Sequence, residues 1–165
     1  MHRATNKKKQ DAFSLIELVI VVVIIGIIAA IAIPKMSKGS AGAAESALAG
    51  DMNLWRQAMD MYQNEHGGAY PDQTNIVNQL TQYTNSDGSV QGAKNTATGV
   101  VYGPYMRAIP PLPVGPANVK GTTGIAAATG NGIGWLYDGA GNITPDTPAT
   151  GTGSADSSGK LFSSY

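Results

Sequence analysis

The sequence predicts an α+β fold in which a long N-terminal helix packs, through its second half, on a small antiparallel β-sheet. Two observations lead to this prediction. An apolar run at residues 13–33, with only two polar side chains, is followed by apolar residues at helical spacing as far as residue 62. The region after the helix is rich in Gly, Thr, Asn and Pro and contains only short strand-like segments. We therefore divide the chain into residues 1–12, 13–34, 35–66 and 67–165.

Residues 1–12 form a short basic segment that we predict to be a cytoplasmic leader. They hold four basic side chains and one acidic side chain, whereas the whole chain holds 11 of each and has no net charge. Without cysteine, the chain cannot form a disulfide, a cysteine nucleophile or a thiolate metal site. The balanced total also argues against a nucleic-acid partner, which would require a basic face.

Residues 13–33 are predicted to form a single transmembrane helix. They contain only two polar side chains, Ser14 and Glu17, and a helix of this length spans about 31 Å, roughly one bilayer core. The basic leader would stay in the cytoplasm, which places the C-terminal bulk outside. A secretory signal peptide, cleaved after the alanines near the end of the run, is the alternative. Glu17 argues against it, because a carboxylate in the apolar core costs about 2.5–3.5 kcal/mol.

The sequence KKKQDA followed by FSLIELVIVVVIIGIIAAIAIP resembles the N-terminal signature of type IV pilins and type II secretion pseudopilins. The resemblance implies that a prepilin peptidase cuts between Ala12 and Phe13 and methylates the new N-terminus at Phe13. Ala12 departs from the family, which usually has glycine there. Glu17 matches the family's helix glutamate, which neutralises the N-terminus of a neighbouring subunit during assembly. Gly26 and Pro34 match its glycine and proline, where we expect the helix to break.

Residues 35–66 are predicted to be the amphipathic half of the same helix, supporting the head. Apolar residues recur three or four positions apart and form one stripe: Leu48, Met52, Trp55, Met59 and Tyr62. We expect this stripe to pack against the head. Gly67 and Gly68 should end the helix.

Residues 67–165 are predicted to form the globular head. A β-hairpin is indicated at residues 134–138 and 142–144, with a Gly-Ala-Gly turn between them. Residues 100–102 and 161–162 are weaker strand candidates, and residues 76–83 suggest a short helix with Ile76, Val77, Leu80 and Tyr83 on one side. Residues 147–160 are expected to be flexible.

The head offers little for catalysis, so we predict that the chain is not an enzyme. His66 is the one histidine outside the leader, and at a helix end it is expected to act as a cap. No cofactor is expected. Major pseudopilins of type II secretion carry a C-terminal calcium loop, and Asp138, Asn142 and Asp146 are weak candidates for calcium ligands here.

The resemblance implies a structural subunit in the bacterial inner membrane, with its N-terminus cytoplasmic and its head periplasmic or outside. Its partners would be further copies of itself in a helical filament, the prepilin peptidase, membrane lipid, other pilins or pseudopilins, and the inner-membrane assembly platform. The stretch ALAGDMNLWRQAMDMYQNEHGGAYPD is similar to the type II secretion major pseudopilin, and the absence of cysteine fits pseudopilins better than many pilins. A type IV pilus subunit for adhesion or motility, and a membrane-anchored periplasmic binding module, are the alternatives.

Overall fold

The computed structural model describes residues 13–148 and 153–165, and within them every side chain except those of residues 33–38. The predicted leader, which includes Ala12, lies outside the described residues. The chain divides into two compact units, of which the first ends at Gly39 and the second is Ser40–Tyr165. The elements in chain order are helix α1 (Leu15–Glu65), helix α2 (Ile76–Thr81), strands β1 (Gly124–Ala126), β2 (Ile133–Tyr137) and β3 (Ile143–Pro145), and a 3-10 turn (Phe162–Ser164).

The α+β class is confirmed, with a long N-terminal helix and a small sheet, but the sheet is not purely antiparallel. Strand β2 pairs antiparallel with β3 and parallel with β1, in the order β1-β2-β3. Parallel neighbours usually need a connection of a dozen or more residues. Here β1 has only three residues, about 10 Å. The six residues 127–132 can therefore return the chain to the start of β2.

The predicted hairpin is confirmed as β2 and β3. Trp135 lies opposite Pro145, and Tyr137 lies opposite Ile143. The connecting turn places Gly139 and Gly141 at φ values of 78° and 94°, which glycine adopts without the strain that a Cβ would bring. The two turn glycines therefore explain why this segment gives the clearest prediction of strands in the head.

The two weaker strand candidates do not form strands. Val100 and Tyr102 each make an isolated bridge, to Asn95 and Thr84 respectively, and Pro104 just beyond them has no N–H with which to extend a ladder. Leu161 bridges Ala155, after which the chain turns into the 3-10 segment.

The predicted short helix exists as α2 but ends at Thr81, and its apolar residues do not all share one side. Ile76 and Leu80 are buried, four residues apart on one face, whereas Val77 is 41% exposed. One residue corresponds to about 100° around a helix, so Val77 is turned away from the buried pair.

Helix α1 ends as its glycines predict. The amide of Gly68 donates to the carbonyl of Gln63 at 2.8 Å, and Gly67 and Gly68 both have positive φ. This is the six-residue bond of a Schellman motif. Gly26 and Pro34 lie within the bounds of α1, and their helix-breaking role stays a prediction.

The core of the second unit forms between α1 and the head. The five stripe residues are between 0% and 3% exposed and belong to one apolar cluster with residues of the head. Trp55 packs edge-on against Trp135 of β2, with ring centroids 5.6 Å apart. These contacts hold the second half of α1 on the small sheet.

Candidate functional site: the apolar segment of helix α1

The most unusual surface of the first unit is the apolar segment, residues 13–32. In the described residues it carries 14 large apolar side chains, from Phe13 to Ile31, and their exposed fractions range from 45% to 86%. Residues Leu15–Ala32 have a mean hydropathy of 3.2, and none of them is buried. By length and composition this part of the helix can cross a membrane. Water is an unfavourable environment for so much apolar surface, and the segment therefore needs lipid or other apolar helices around it.

Glu17 caps the start of the apolar segment. Its Oε2 accepts a hydrogen bond from the backbone amide of Ser14 at 2.9 Å, and the Ser14 carbonyl accepts from the amide of Leu18 at 3.3 Å. Glu17 is the third helical residue, so this is one half of a capping box. The motif Ser-x-x-Glu was present in the sequence, and a search for helix caps would have found it.

The capped carboxylate keeps one oxygen available. In the described residues, Oε1 of Glu17 has no hydrogen-bond partner, because Ser14 uses only Oε2. A carboxylate accepts several hydrogen bonds. Glu17 can therefore hold its own helix start and accept a further donor at the same time.

Phe13 precedes the first residue of α1 and is 86% exposed. Its neighbour on the N-terminal side, Ala12, lies outside the described residues. Gly26 has no atom within 4 Å of the position that a Cβ would occupy, so no packing inside the subunit requires a glycine there. The processing role of Phe13 and the assembly role of Glu17 stay predictions.

His66 joins the end of α1 to a distant loop. It is 7% exposed, its Nδ1 lies 2.9 Å from the carbonyl oxygen of Tyr62, and its ring stacks on the Tyr62 ring with centroids 3.8 Å apart. Its Nε2 lies 3.0 Å from the hydroxyl of Thr84 and 2.9 Å from the carbonyl oxygen of Asn85. The contact with Tyr62 is of the capping type that the sequence predicts, and the link to residues 84–85 was not foreseen.

The three weak calcium candidates are not assembled into one site. Asp138 accepts hydrogen bonds from the amides of Ala140 and Asn142, and its Oδ2 accepts from the Asn142 side-chain amide at 2.6 Å. These bonds, with that of the Asn142 side chain first, lower the pKa of Asp138. Asp146 follows β3 at the opposite end of the hairpin. The described residues contain no group of three His, Cys, Asp or Glu side chains placed to hold a metal ion.

Comparison with known proteins identifies a sequence motif at the N-terminal end of the chain. The family model of the prokaryotic N-terminal methylation motif matches residues 7–33. No curated protein and no solved structure matches the chain. The matched residues include the three lysines Lys7, Lys8 and Lys9 and the whole of the apolar segment.

Proposed function

Because the prokaryotic N-terminal methylation motif indicates a type IV pilin-like or pseudopilin subunit, we propose that this chain is a pseudopilin of a type II secretion system. As such it is a structural, non-catalytic subunit of a short filament that supports protein export. The observation that carries the proposal is the position of the motif, which ends on a helix whose apolar side chains are exposed all round.

The proposed maturation starts at the inner membrane. The prepilin peptidase cuts between Ala12 and Phe13, and Phe13 becomes the methylated N-terminal residue. The cut removes a segment of net charge +3 and leaves a mature chain of net charge −3. The basic segment orients the helix first, and its loss then exposes a new amine at the cytoplasmic end of the helix.

The new amine gives Glu17 a partner. An ammonium group and a carboxylate are each expensive in hydrocarbon, and pairing them reduces that cost. Oε1 of Glu17 has no hydrogen-bond partner in the described residues and can accept from the Phe13 amine of a neighbouring subunit. The pair would form at one helix register, so it would set the axial position of each incoming subunit.

The apolar segment then changes its surroundings from lipid to other subunits. Lateral packing of helices in a filament can cover the same side chains that lipid covers in the membrane. The assembly partners are further copies of the chain, other pilins or pseudopilins, and the inner-membrane platform. The pseudopilin assignment is favoured over a type IV pilus subunit by the absence of cysteine and by the similarity at residues 47–72. A membrane-anchored periplasmic module that never polymerises is the alternative of another class.

Mass spectrometry of the protein isolated from membranes tests the proposal. We expect a mature chain that begins with N-methylated Phe13. An intact Met1, or a start near Lys35 as after signal-peptide cleavage, would contradict it. Ala12→Gly is the matched variant, because it restores the usual residue before the cut and should speed processing without changing the product.

Assembly is tested with Glu17→Ala. We expect membrane insertion to be unchanged or improved, since a carboxylate is removed from hydrocarbon, whereas filament formation should be lost. Asp60→Asn, which removes an exposed carboxylate of the head half of α1, is the control and should assemble normally. Deletion of the chain then separates the systems, because loss of secreted enzymes indicates secretion and loss of surface fibres indicates a pilus.

A further inference from the structure

A groove of about 450 Å³ lies in the head beside the C-terminal end of β3. Its apolar walls are formed by Pro116, Val119 and Pro148. Three polar side chains also line it, those of Asn118, Thr129 and Asp146. Apolar walls with a few polar groups are typical of sites that bind small molecules or single side chains.

The carboxylate of Asp146 is the most unusual group in this groove. Asp146 is only 4% exposed, and its Oδ2 accepts a hydrogen bond from the backbone amide of Gly130 at 3.1 Å. Within the described residues, the carboxylate has no further hydrogen bond and no basic partner. Buried carboxylates are normally paired or bonded several times, because removing the charge from water is costly. The remaining oxygen, Oδ1, can therefore accept a donor that enters the groove.

The next residue shows the same lack of partners. Thr147 is 7% exposed, and its hydroxyl is buried without a hydrogen bond in the described part of the chain. Two adjacent polar side chains at the end of β3 thus have unused hydrogen-bonding capacity, and of the two Asp146 lines the groove. Such groups call for a bound water or ligand as their explanation.

We propose that this groove binds a primary ammonium or guanidinium group carried on an alkyl stem. An ammonium group donates three hydrogen bonds, which the Asp146 carboxylate, the Thr129 hydroxyl and the Asn118 amide oxygen can accept. A charged donor strengthens the bond to the carboxylate. The alkyl stem would lie along the proline and valine walls, as lysine stems lie along apolar surface.

The oxygen atoms that line the groove suit an ammonium or guanidinium group better than a hard metal ion. Calcium takes six to eight oxygen ligands, whereas a single carboxylate lines the groove and the described residues hold no group of three ligating side chains of the His, Cys, Asp or Glu type. Residues 40–165 carry five basic and nine acidic side chains, so the head as a whole also attracts cations.

Nuclear magnetic resonance of the full chain in detergent micelles tests the proposal, with the amide of Gly130 as the reporter because it bonds to Asp146. Titration with n-butylammonium should shift this signal until saturation. Titration with n-butanol, which has the same stem but no charge, should give a shift at least tenfold smaller. Equal shifts from both probes, or no saturable shift with n-butylammonium, would overturn the proposal.

Two variants keep the test independent of folding. Asp146→Asn should weaken n-butylammonium binding at least tenfold, and Thr129→Val, which alters only the wall of the groove, should weaken it several-fold. Asp138→Asn is the matched control, because that carboxylate is bonded within its own turn, and it should bind like the original chain. Undiminished binding in both groove variants would also overturn the proposal.

The ammonium or guanidinium group can come from either of two sources, a free amine or a basic side chain of a neighbouring copy of the chain. Lys94 and Arg107 are exposed and have no side-chain partner in the described residues, so either could enter the groove of another subunit. A free-amine site should still bind n-butylammonium after filaments form. A groove filled by a neighbour should lose this binding in filaments and regain it in filaments of Lys94→Gln or Arg107→Gln.

Discussion

Helix α1 and the two residues before it carry both the apolar segment, residues 13–32, and the stripe within residues 44–62. The apolar side chains of the segment and those of the stripe have opposite surroundings. The large apolar side chains of the first stretch are 45–86% exposed, whereas the stripe residues of the second are 0–3% exposed. The difference is one of pattern, because the first stretch is apolar all round and the second is apolar along one side. A stripe can be covered by one small sheet, but a helix that is apolar all round needs apolar neighbours on every side.

The polar groups of the two stretches differ in the same way. In the apolar segment, the carboxylate of Glu17 is bonded to its own helix start. In the second stretch, the carboxylate of Glu45 accepts from the distant Ser157, and just after α1 the ring of His66 contacts Thr84. The second half of α1 is therefore complete within the subunit, and the first half depends on its surroundings.

The largest effect should come from breaking the buried half. Trp55→Ala removes a fully buried ring that packs on Trp135, and we expect a loss of about 3–5 kcal/mol in the free energy of unfolding of the head. Denaturant unfolding in detergent, followed by Trp135 fluorescence, measures it. Leu54→Ala, next to it and 40% exposed, should cost less than about 0.5 kcal/mol. Similar losses for the two variants would refute the distinction between the faces.

A charge in the exposed half should leave the head intact and affect insertion alone. Ile24→Asp places a second carboxylate in the middle of the apolar segment and should cost about 2.5–3.5 kcal/mol of membrane insertion. A glycosylation-based insertion assay measures this cost, and the unfolding of the head should be unchanged. Ile24→Leu is the control. A head destabilised by Ile24→Asp would mean that the two halves are coupled within the subunit.

The elements that could be predicted from the sequence are those that depend on residues close together in the chain. The apolar run, the stripe and the glycine turn of the hairpin each follow from spacing within a few residues. The parallel strand β1 could not be predicted, because its three residues carry neither periodicity nor a turn signal of their own. The Glu17 cap was predictable from Ser-x-x-Glu and was missed.

Contacts between residues far apart in the chain could not be predicted from the sequence. Ser157 bonds to Glu45 across 112 positions, and no spacing rule connects them. The groove beside Asp146 is likewise built from three separate parts of the chain, at residues 116 and 118–119, 129–130, and 146 and 148. The apolar segment could be predicted from the sequence for the opposite reason, because its residues are consecutive in the chain.

Alkaline pH should act on the head and not on the apolar segment. Burial raises the pKa of Tyr137 to about 12, and its hydroxyl donates to the Pro71 carbonyl at 2.8 Å. A tyrosine that ionises near pH 10 when unfolded therefore stabilises the head fully below pH 10 and loses that contribution as the pH rises to about 12, by about 1.4 kcal/mol per pH unit.

Tyr137→Phe separates this contribution from the rest of the head. At pH 7 the variant should lose about 1–2 kcal/mol, because the Pro71 carbonyl loses its donor. Above pH 10 its free energy of unfolding should fall less steeply than that of the original chain. Tyr83→Phe, which removes the hydroxyl of a less buried tyrosine, is the control. Parallel pH profiles for the Tyr137 variant and the original chain would contradict the assignment.

The smallest expected effect concerns the first contact, in chain order, between α1 and the head. Both carboxylate oxygens of Glu45 accept from Ser157, one from its amide and one from its hydroxyl, each at 2.8 Å. Gly42 and Gly50 weaken the helix around this contact, so Glu45→Gln should cost about 0.5–1 kcal/mol and speed amide exchange several-fold in residues 40–50 only. Asp60→Asn, on the same helix and without a hydrogen bond in the described residues, should leave exchange unchanged. Unchanged exchange in the Glu45 variant would mean that Leu48, not this polar contact, is the first residue by which the head holds α1.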